Sequence, residues 1–488
     1  MTTVHGVRRL LRSVMTAAVV ALVALAMLTP GTVSAQSSGT TSPVVAVLDG
    51  PGGIGYWLVS EDGTVEVVGS SILPLLGEPP ALSVRVETAR SGAPGAMGLW
   101  LVLADGSEVA IGDPGPEMDL RRFRELGWLA GTAVRQLLRG AWWPDIDLSC
   151  TTELPRAVRI GQTLLVSLTE REFGLAVEEA RDHQIGGIML LGGATPFIDR
   201  RIEEVQDFAG LIPMLIAVDE EGGRVQRLRG VVPRLPAAAD QAGDRVDVVE
   251  GRALRHGIAM EELGFNVNLA PVVDVGAGPG IGDRAFSDEA DVVTELGMAW
   301  VRGLSRADVL PVVKHFPGHG AASGDSHAVL PSTPSLEELR ERDLLPFQAA
   351  VDSGLAAVMV GHLRVPGLTG EMPASLSPQA VEGLLRGELG HGGLVVSDSL
   401  TMGAISDRWS IDEAAVLALA AGVDLAIIGN LDTVPATFDA VDRAVLEGRL
   451  SVERLDRAAT NVLRAKGVNA CSLVGRVRGT LNTVRDRT

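Results

Sequence analysis

The chain has 488 residues, which exceeds one ordinary domain and predicts a large core with at least one smaller module. Hydrophobic residues make up 46% and charged residues 21%, which excludes a disordered or fibrous chain. The net charge of −19 argues against nucleic acid or an anionic membrane as partner and favours a neutral or cationic substrate, because those polyanionic surfaces bind clustered lysine and arginine.

The first 35 residues are typical of an export signal. Arg8, Arg9 and Arg12 precede an apolar stretch at 14–28, and small residues at 33–35 form a cleavage site. Because the stretch is short for a membrane span, we expect a secreted or cell-wall-associated protein with no stable membrane insertion after cleavage. A retained N-terminal anchor is the alternative, and Sec and twin-arginine export both stay open.

A repeated β pattern follows a flexible Ser-, Thr- and Gly-rich lead at 36–43. The run at 54–59 returns 43 residues later at 97–102, each time before an Asp-Gly turn. Apolar and polar residues alternate in both copies, as in β-hairpins. The sequence thus predicts a β module over 44–114 and a helical connector over 115–149. Glycan binding, docking on the main domain and a spacer role are all compatible with the module.

From residue 156 onward, apolar runs alternate with amphipathic segments, the pattern of βα units around a parallel sheet. The predicted strands are 163–167, 187–191, 214–218, 266–270, 309–314, 357–360, 394–396 and 424–428. Eight strands favour an α/β fold with a (β/α)8 TIM-type barrel over 150–471, followed by a basic tail over 472–488. Several polar residues fall at or after C-terminal strand ends, where such barrels carry catalytic groups: Asp219, Lys314, His315, His362 and Asp398.

The two cysteines, Cys150 and Cys471, fall at the two ends of the predicted barrel. The first and last elements of a closed barrel are neighbours, and an oxidising compartment favours pairing. We therefore expect a disulfide between them, with two buried free thiols as the alternative.

Three segments carry groups suited to catalysis. The block 219–227 places three acids, a Gly pair and two arginines at a strand end, and such groups hold sugar hydroxyls. Asp325 lies two residues before His327, so its carboxylate can hydrogen-bond the imidazole and form a proton-transfer pair. Asp398 follows an apolar strand, as a glycosidase nucleophile or a helix N-cap would.

The histidines also raise the question of a metal site formed by His315, His319, Asp325 and His327. A Pro-Gly turn separates His315 from His319, so the two do not share a helix face. We expect neither a metal nor an organic cofactor, and ordinary loop residues are the remaining alternative.

In order and spacing, the chain from about 159 to 464 resembles glycoside hydrolase family 3, in its N-acetylglucosaminidase branch. The matching segments are 219–227, 281–287, 314–320, 325–327 and 397–398. The resemblance implies a retaining exo-β-N-acetylhexosaminidase that removes terminal β-linked N-acetylglucosamine from cell-wall-type glycans. It implies that Asp398 forms the glycosyl-enzyme bond and that His327 with Asp325 is the acid/base dyad. It also implies a set of sugar-holding residues: Asp219, Arg227, Arg284, Lys314 and His315.

The chain departs from the family pattern at three points. Ala321-Ala322 replaces a usual Asp-Thr, Glu220 replaces Gln or His, and Ser399 replaces a common Asp. We expect altered loop packing or leaving-group contacts more than lost catalysis.

Other functions are compatible with these motifs. A β-glucosidase or a β-N-acetylglucosaminide phosphorylase of the same family is one alternative, since a neutral His327 does not repel phosphate. A non-catalytic cell-wall-binding protein is an alternative from another class. The expected partner is an N-acetylglucosamine-containing glycan, and the sequence makes no prediction of the oligomeric state.

Overall fold

The computed structural model describes six strands between residues 44 and 113, and residues 148–208 and 212–474. The chain divides into two compact units, Met1–Met118 and Asp119–Thr488. The predicted signal and lead lie outside the described residues, as do the connector before residue 148 and the tail after residue 474.

The first unit contains two three-stranded antiparallel sheets. Their strands are β1 (Val44–Asp49), β2 (Tyr56–Ser60), β3 (Val65–Val68), β4 (Val86–Ser91), β5 (Met97–Leu103) and β6 (Glu108–Asp113). The sheet orders are β1-β2-β3 and β4-β5-β6, so β2 and β5 are the central strands. Each central strand lies in one copy of the sequence repeat.

The second unit is built around an eight-stranded parallel sheet that curls into a barrel. Its strands are β7 (Leu164–Thr169), β8 (Gly187–Leu191), β9 (Leu215–Val218), β12 (Val267–Asn268), β13 (Leu310–Phe316), β14 (Ala357–Val360), β15 (Val395–Ser397) and β16 (Ala426–Ile428). The order is β15-β14-β13-β12-β9-β8-β7-β16, and a parallel bridge from Val396 to Leu425 joins its two ends. A hairpin of β10 (Glu220–Gly222) and β11 (Val225–Gln226) follows β9. The (β/α)8 prediction is confirmed, and every predicted strand overlaps an observed one.

Helical segments connect successive barrel strands. From residue 148 to residue 474, the described α-helices are α1 (Arg156–Gln162), α2 (Ala176–Asp182), α3 (Ile198–Phe208), α4 (Val246–Glu262), α5 (Ala290–Arg306), α6 (Leu336–Glu341), α7 (Leu345–Ser353), α8 (Gly403–Ser406), α9 (Ile411–Ala421), α10 (Val434–Leu446) and α11 (Val452–Ala465). A π-helix, Gln379–Glu388, connects β14 to β15. Within the described part of the chain, no helix has both the length and the apolar character needed to cross a bilayer.

Local residue chemistry accounts for several helix ends. Helix α6 begins at a capping box. The Ser335 side chain accepts a hydrogen bond from the Glu338 amide, and the Glu338 side chain accepts one from the Ser335 amide. Helix α7 ends at Gly354, whose φ of 62° lies in the left-handed region that glycine adopts without strain. These ends bring the chain from one barrel strand to the next.

Strand alternation divides the apolar side chains between two clusters. One cluster contains a side chain from every barrel strand: Leu165, Met189, Ala217, Val267, Val312, Met359, Val396 and Ile427. Adjacent residues such as Leu164 and Val166 belong to a second cluster, which includes Trp300 of α5 and Phe347 of α7. The first cluster fills the barrel and the second lies between strands and helices, because successive residues of a strand point to opposite faces.

Cys150 and Cys471 are joined by a disulfide with a Cα–Cα distance of 4.8 Å. Beside it, Leu154, Leu463 and Leu473 are buried in one apolar cluster. The bridge thus ties the segment before the first barrel strand to the segment after α11.

Candidate active site

Charged side chains form a compact network at the C-terminal end of the barrel. The Lys314 Nζ, on β13, lies 2.7 Å from Asp219 Oδ1 and 2.7 Å from Glu221 Oε1. Arg284 donates from Nε and Nη2 to the two Glu221 oxygens at 2.7 and 2.9 Å. Two carboxylates and two cationic side chains therefore pair with each other in a largely buried position. Their remaining donors and acceptors are suited to hydrogen bonds with hydroxyl groups.

The pKa shifts keep this network charged. Burial acts to raise the pKa of Glu221, but the charges of Lys314 and Arg284 outweigh it and hold the pKa well below its usual value. Burial acts to lower the pKa of Lys314, and the carboxylates of Asp219 and Glu221 raise it instead. Glu221 and Lys314 thus keep their charges at neutral pH.

The buried Asp274 carboxylate orients the His315 imidazole. Asp274 Oδ2 accepts a hydrogen bond from His315 Nδ1 at 2.7 Å, and Oδ1 accepts from the amides of His315 and His319 at 3.2 and 2.6 Å. Arg284 Nη2 donates to His315 Nε2 at 3.3 Å. These two contacts select the His315 tautomer with its proton on Nδ1. Burial acts to raise the Asp274 pKa, but His315 and His319 hold it below its ordinary value.

Asp398 directly follows β15. Its amide donates to the Val360 carbonyl at 3.0 Å, and its Oδ1 accepts from the Ser399 amide at 2.8 Å. The next helix, α8, has Met402 at its N-cap, so the alternative of Asp398 as a helix N-cap is wrong. The residue as a whole is half-buried at the C-terminal end of β15.

The surroundings of Asp398 favour its charged form. Burial acts to raise its pKa, but His315, His362 and the Ser399 amide outweigh burial and lower it. His362 is itself completely buried, with Nε2 on the Ser399 carbonyl at 2.8 Å and Nδ1 on Ser375 Oγ at 2.7 Å. Burial lowers the pKa of His362. A carboxylate oxygen of Asp398 that keeps its negative charge is suited to nucleophilic attack.

The pair of Asp325 and His327 lies on the loop after β13. Asp325 Oδ1 accepts from His327 Nδ1 at 2.8 Å and from the His327 amide at 3.0 Å. The two side chains are 42% and 68% exposed, so the imidazole Nε2 side is open to a ligand. Burial acts to raise the Asp325 pKa, and the hydrogen bonds from His327 lower it, which keeps the carboxylate charged.

Backbone hydrogen bonds link this loop to the segment after Asp398. The Gly403 amide donates to the His327 carbonyl at 3.1 Å, and the Ala404 amide donates to the Ser326 carbonyl at 3.2 Å. A Cβ at position 403 would lie 2.9 Å from the His327 carbonyl oxygen, so glycine permits this close approach. The loop with the imidazole and the segment with Asp398 are therefore connected.

Arg227 stands apart from the charged network. Its Nε is buried and has no hydrogen-bond partner within the described residues. Its amide and that of Leu228 donate to Glu220 Oε2 at 2.8 and 3.0 Å, while Glu220 Oε1 lies 3.1 Å from His256 Nε2. The unusual Glu220 thus organises the turn that presents Arg227.

The structure brings some of the predicted site residues together and leaves others apart. Four of them lie in one network: Lys314 pairs with Asp219, Arg284 donates to His315, and Glu221 joins the two pairs. Glu221 was predicted only as one of the three acids of the block 219–227, with no role of its own, and Asp274 was not predicted; both complete this network. Asp274 had a recognisable signal, an acid within the apolar run 272–275 just after a predicted strand. For the part of the chain with described side chains, no group of three or more His, Cys, Asp or Glu has an arrangement suited to a metal ion.

Asp343 packs against the loop after β13, and its pKa predicts how the stability of the protein depends on pH. Burial raises its pKa from 3.8 to about 6. A Cβ added at Gly318 would lie 2.7 Å from the Asp343 Cβ, so Asp343 packs closely against the loop at this glycine. Between pH 4 and 6 the folded state keeps a proton that the unfolded state has lost, so this group's contribution to stability is lost as pH rises. Asp343→Asn removes this loss, and its unfolding free energy relative to wild type should rise between pH 4 and 7 by up to roughly 3 kcal/mol.

Denaturant unfolding at several pH values measures this difference. Asp407→Asn, an exposed position, controls for the change in net charge. A constant difference between wild type and Asp343→Asn across this pH range would contradict the prediction.

Comparison with known proteins adds the family. The domain family described as "Glycosyl hydrolase family 3 N terminal domain" matches residues 157–465. The β-hexosaminidase LpqI of Mycobacterium tuberculosis is 41% identical over 324 residues, which cover 64% of this chain and 82% of that protein.

Solved structures agree with the sequence match. A GH3 family glycosyl hydrolase from Mycobacterium smegmatis superposes with a TM-score of 0.62 and 40% identity, covering 64% of this chain and 98% of that one. A family 3 β-N-acetylglucosaminidase from Paenibacillus sp. FPU-7 gives a TM-score of 0.60 and 36% identity, covering 64% of this chain and 62% of that one. The matched domain spans more than half of the chain, which therefore belongs to glycosyl hydrolase family 3 and is a glycoside hydrolase.

Proposed function

We propose that the protein is an exported, retaining exo-β-N-acetylhexosaminidase that removes terminal β-linked N-acetylglucosamine from cell-wall-type glycans. Relatives named β-hexosaminidase and β-N-acetylglucosaminidase support this activity. The observation that carries the proposal is the backbone connection between the loop of His327 and the segment of Asp398, because a retaining glycosidase needs both groups at one bond.

In this proposal the charged network holds the terminal sugar. Asp219 and Glu221 accept hydrogen bonds from hydroxyls, while Lys314 and Arg284 donate to hydroxyl oxygens. The four groups already pair with each other, so their geometry is set before the sugar arrives. Such preorganisation lowers the entropic cost of orienting the substrate.

The first chemical step forms a covalent intermediate. An Asp398 carboxylate oxygen attacks the anomeric carbon as the bond to the leaving oxygen breaks. The His327 imidazolium gives its Nε2 proton to that oxygen, and the Asp325 carboxylate stabilises the imidazolium through Nδ1.

The second step releases the sugar. Neutral His327 takes a proton from water, the resulting hydroxyl oxygen attacks the anomeric carbon, and the bond to Asp398 breaks. Two inversions give overall retention of configuration. Because the proton-transfer group is an imidazole and not a second carboxylate, phosphate meets less charge repulsion, which keeps phosphorolysis as the second candidate.

Substrate comparison tests the proposed activity. The purified chain should release 4-nitrophenol from the β-N-acetylglucosaminide at least tenfold faster than from the β-glucoside, and phosphate should not accelerate release. A preference for the glucoside would indicate a β-glucosidase. Appearance of N-acetylglucosamine 1-phosphate would indicate a phosphorylase.

Export is a separate part of the proposal. Residues 1–35 act as a removable signal, the module over 44–114 and the connector over 115–149 precede the barrel over 150–471, and 472–488 form a basic tail. N-terminal sequencing of the exported chain is expected to start at residue 36. An intact N-terminus on exported protein would instead indicate a retained anchor.

The Glu220 turn gives a prediction about substrate affinity. Glu220→Ala removes the acceptor for the amides of Arg227 and Leu228, so Arg227 loses its support. We expect KM to rise about tenfold, with a smaller change in kcat, because losing a buried acceptor costs roughly 1–3 kcal/mol.

Glu220→Gln is the matched control, since it keeps one acceptor oxygen and the side-chain size. Its KM is expected to stay near that of wild type, with thermal unfolding of both variants checking that they fold. Equal KM values for the Ala and Gln variants would rule out this role of Glu220.

A further inference from the structure

The proposed acid/base pair lies within a single turn of the chain, residues 325–329. The Ala328 and Val329 amides donate to the Asp325 carbonyl at 3.0 and 3.1 Å. The His327 amide donates to the Asp325 carboxylate at 3.0 Å. Because these bonds join the residues of the turn, a contact that fixes one of them also sets the position of the pair.

Ser326 is the buried residue of this turn. The other four residues are half-buried or exposed, whereas Ser326 is 3% exposed. Its Oγ lies 3.2 Å from His319 Nε2, and its carbonyl accepts from the Ala404 amide at 3.2 Å. Ser326 thus connects the turn to the body of the barrel, while the side chains of the acid/base pair point to solvent.

His319 is fixed on the segment that follows β12. Its amide donates to Asp274 Oδ1 at 2.6 Å, and the next carbonyl, that of Gly320, accepts from the Gly278 amide at 2.8 Å. Its ring packs edge to face on His315, with the ring centroids 5.8 Å apart. His319 is therefore a rigid partner for Ser326, and it shares the Asp274 carboxylate with a residue of the sugar-binding network.

The hydrogen bond between His319 and Ser326 forms with either tautomer of the ring. Burial lowers the pKa of His319, so the imidazole is neutral at neutral pH. A neutral imidazole has one donor and one acceptor nitrogen, and a hydroxyl can both donate and accept. The ring's other nitrogen, Nδ1, is buried without a hydrogen-bond partner among the described residues. The ring thus acts on its surroundings through Ser326.

We propose that the hydrogen bond between His319 and Ser326 positions the acid/base pair for proton transfer. His319 and Ser326 are positioning residues in this inference, because they act through Asp325 and His327. Displacing a catalytic group by about 1 Å can cost up to about a hundredfold in rate. The inference rests on the proposed hydrolase function, and it deepens that function by naming the residues that hold the proton donor in place.

Ser326→Ala tests the proposal, because it removes the hydroxyl and keeps the backbone bonds of the turn. On N,N′-diacetylchitobiose, kcat/KM should fall by about tenfold or more, since the departing sugar oxygen needs a proton. On 4-nitrophenyl β-N-acetylglucosaminide, kcat/KM should stay within about twofold of wild type, since nitrophenolate leaves without a proton.

Ser323→Ala is the matched control. It removes another hydroxyl of the same loop, one that accepts a hydrogen bond from the Ser332 amide and lies away from His319. On both substrates its kcat/KM is expected within about twofold of wild type. Thermal unfolding checks that each variant is folded.

Two further backgrounds show whether the Ser326 hydroxyl acts through the named partners. Added to His327→Ala or to His319→Ala, Ser326→Ala should change kcat/KM on the disaccharide by less than about twofold, because effects on one connected unit are not additive. A further tenfold loss in either background would overturn the proposal. So would a single Ser326→Ala variant that loses nothing on the disaccharide or loses equally on both substrates.

Amide hydrogen exchange separates this inference from the hydrolase proposal. In the full chain, exchange over residues 321–330 should be about fivefold faster or more in Ser326→Ala than in wild type, with the barrel strands unchanged. If wild type cleaves neither substrate, the proposed function fails, and the exchange rates alone decide whether the bond holds the turn. Equal exchange over residues 321–330 in the two proteins would overturn the inference.

Discussion

Asp398→Asn is expected to lower kcat by at least about a thousandfold while leaving KM within a few-fold of wild type. An amide has no charge with which to attack the anomeric carbon, whereas the charged network proposed to hold the sugar does not include this side chain. Steady-state hydrolysis of 4-nitrophenyl β-N-acetylglucosaminide measures both constants. Asp407→Asn, an exposed position with the same chemical change, is the matched control.

Chemical rescue identifies the role of Asp398 more directly. Asp398→Ala leaves space for azide, which attacks the anomeric carbon from the face that the carboxylate used. The product should be the α-glycosyl azide, because one displacement inverts the configuration. If Asp398→Asn kept more than a tenth of wild-type kcat, or if azide gave only the β product, another group would be the nucleophile.

His327→Ala is expected to separate substrates by their leaving groups. On N,N′-diacetylchitobiose, a disaccharide with a neutral leaving sugar, kcat/KM should fall by about 10²–10⁴, because the departing sugar oxygen needs a proton. On the nitrophenyl substrate, kcat/KM should fall much less, since nitrophenolate leaves without one. The exposed imidazole, with Nδ1 on Asp325, has the geometry for this transfer.

The same variant tests the second step. Loss of the base slows attack by water, so the glycosyl-enzyme should accumulate and nitrophenol should appear in an initial burst. Azide needs no base and should accelerate turnover, giving the β-glycosyl azide by a second inversion. An equal loss of kcat/KM on both substrates, without burst or azide effect, would contradict the assignment of His327.

Much of the barrel could be predicted from the sequence because its signals are local. Apolar runs at 187–191 and 357–360 coincide with β8 and β14, since a strand buried on both faces reads as a continuous apolar segment. Polar residues after such runs then fall at one end of the barrel. Asp219 and Asp398 were placed correctly by this rule alone.

Strand ends were less predictable than strand positions. The run at 266–270 predicts five residues of strand, but β12 contains only Val267–Asn268. Conversely, β13 continues to Phe316, two residues beyond its predicted end, so Lys314 and His315 lie within the strand. Pairing with neighbouring strands decides where a strand stops, and that pairing is not contained in local apolarity.

The sequence by itself determined which residues follow the barrel strands, because burial pattern and turn residues are properties of neighbouring positions. Only the tertiary structure decided which of them touch. His315 meets Asp274, 41 positions away, and Arg284 meets Glu221, 63 positions away. The pairing of Glu220 with His256, 36 positions away, arises in the same way. Such contacts depend on how the chain closes into a barrel, and no local pattern encodes the distance between two side chains from different strands.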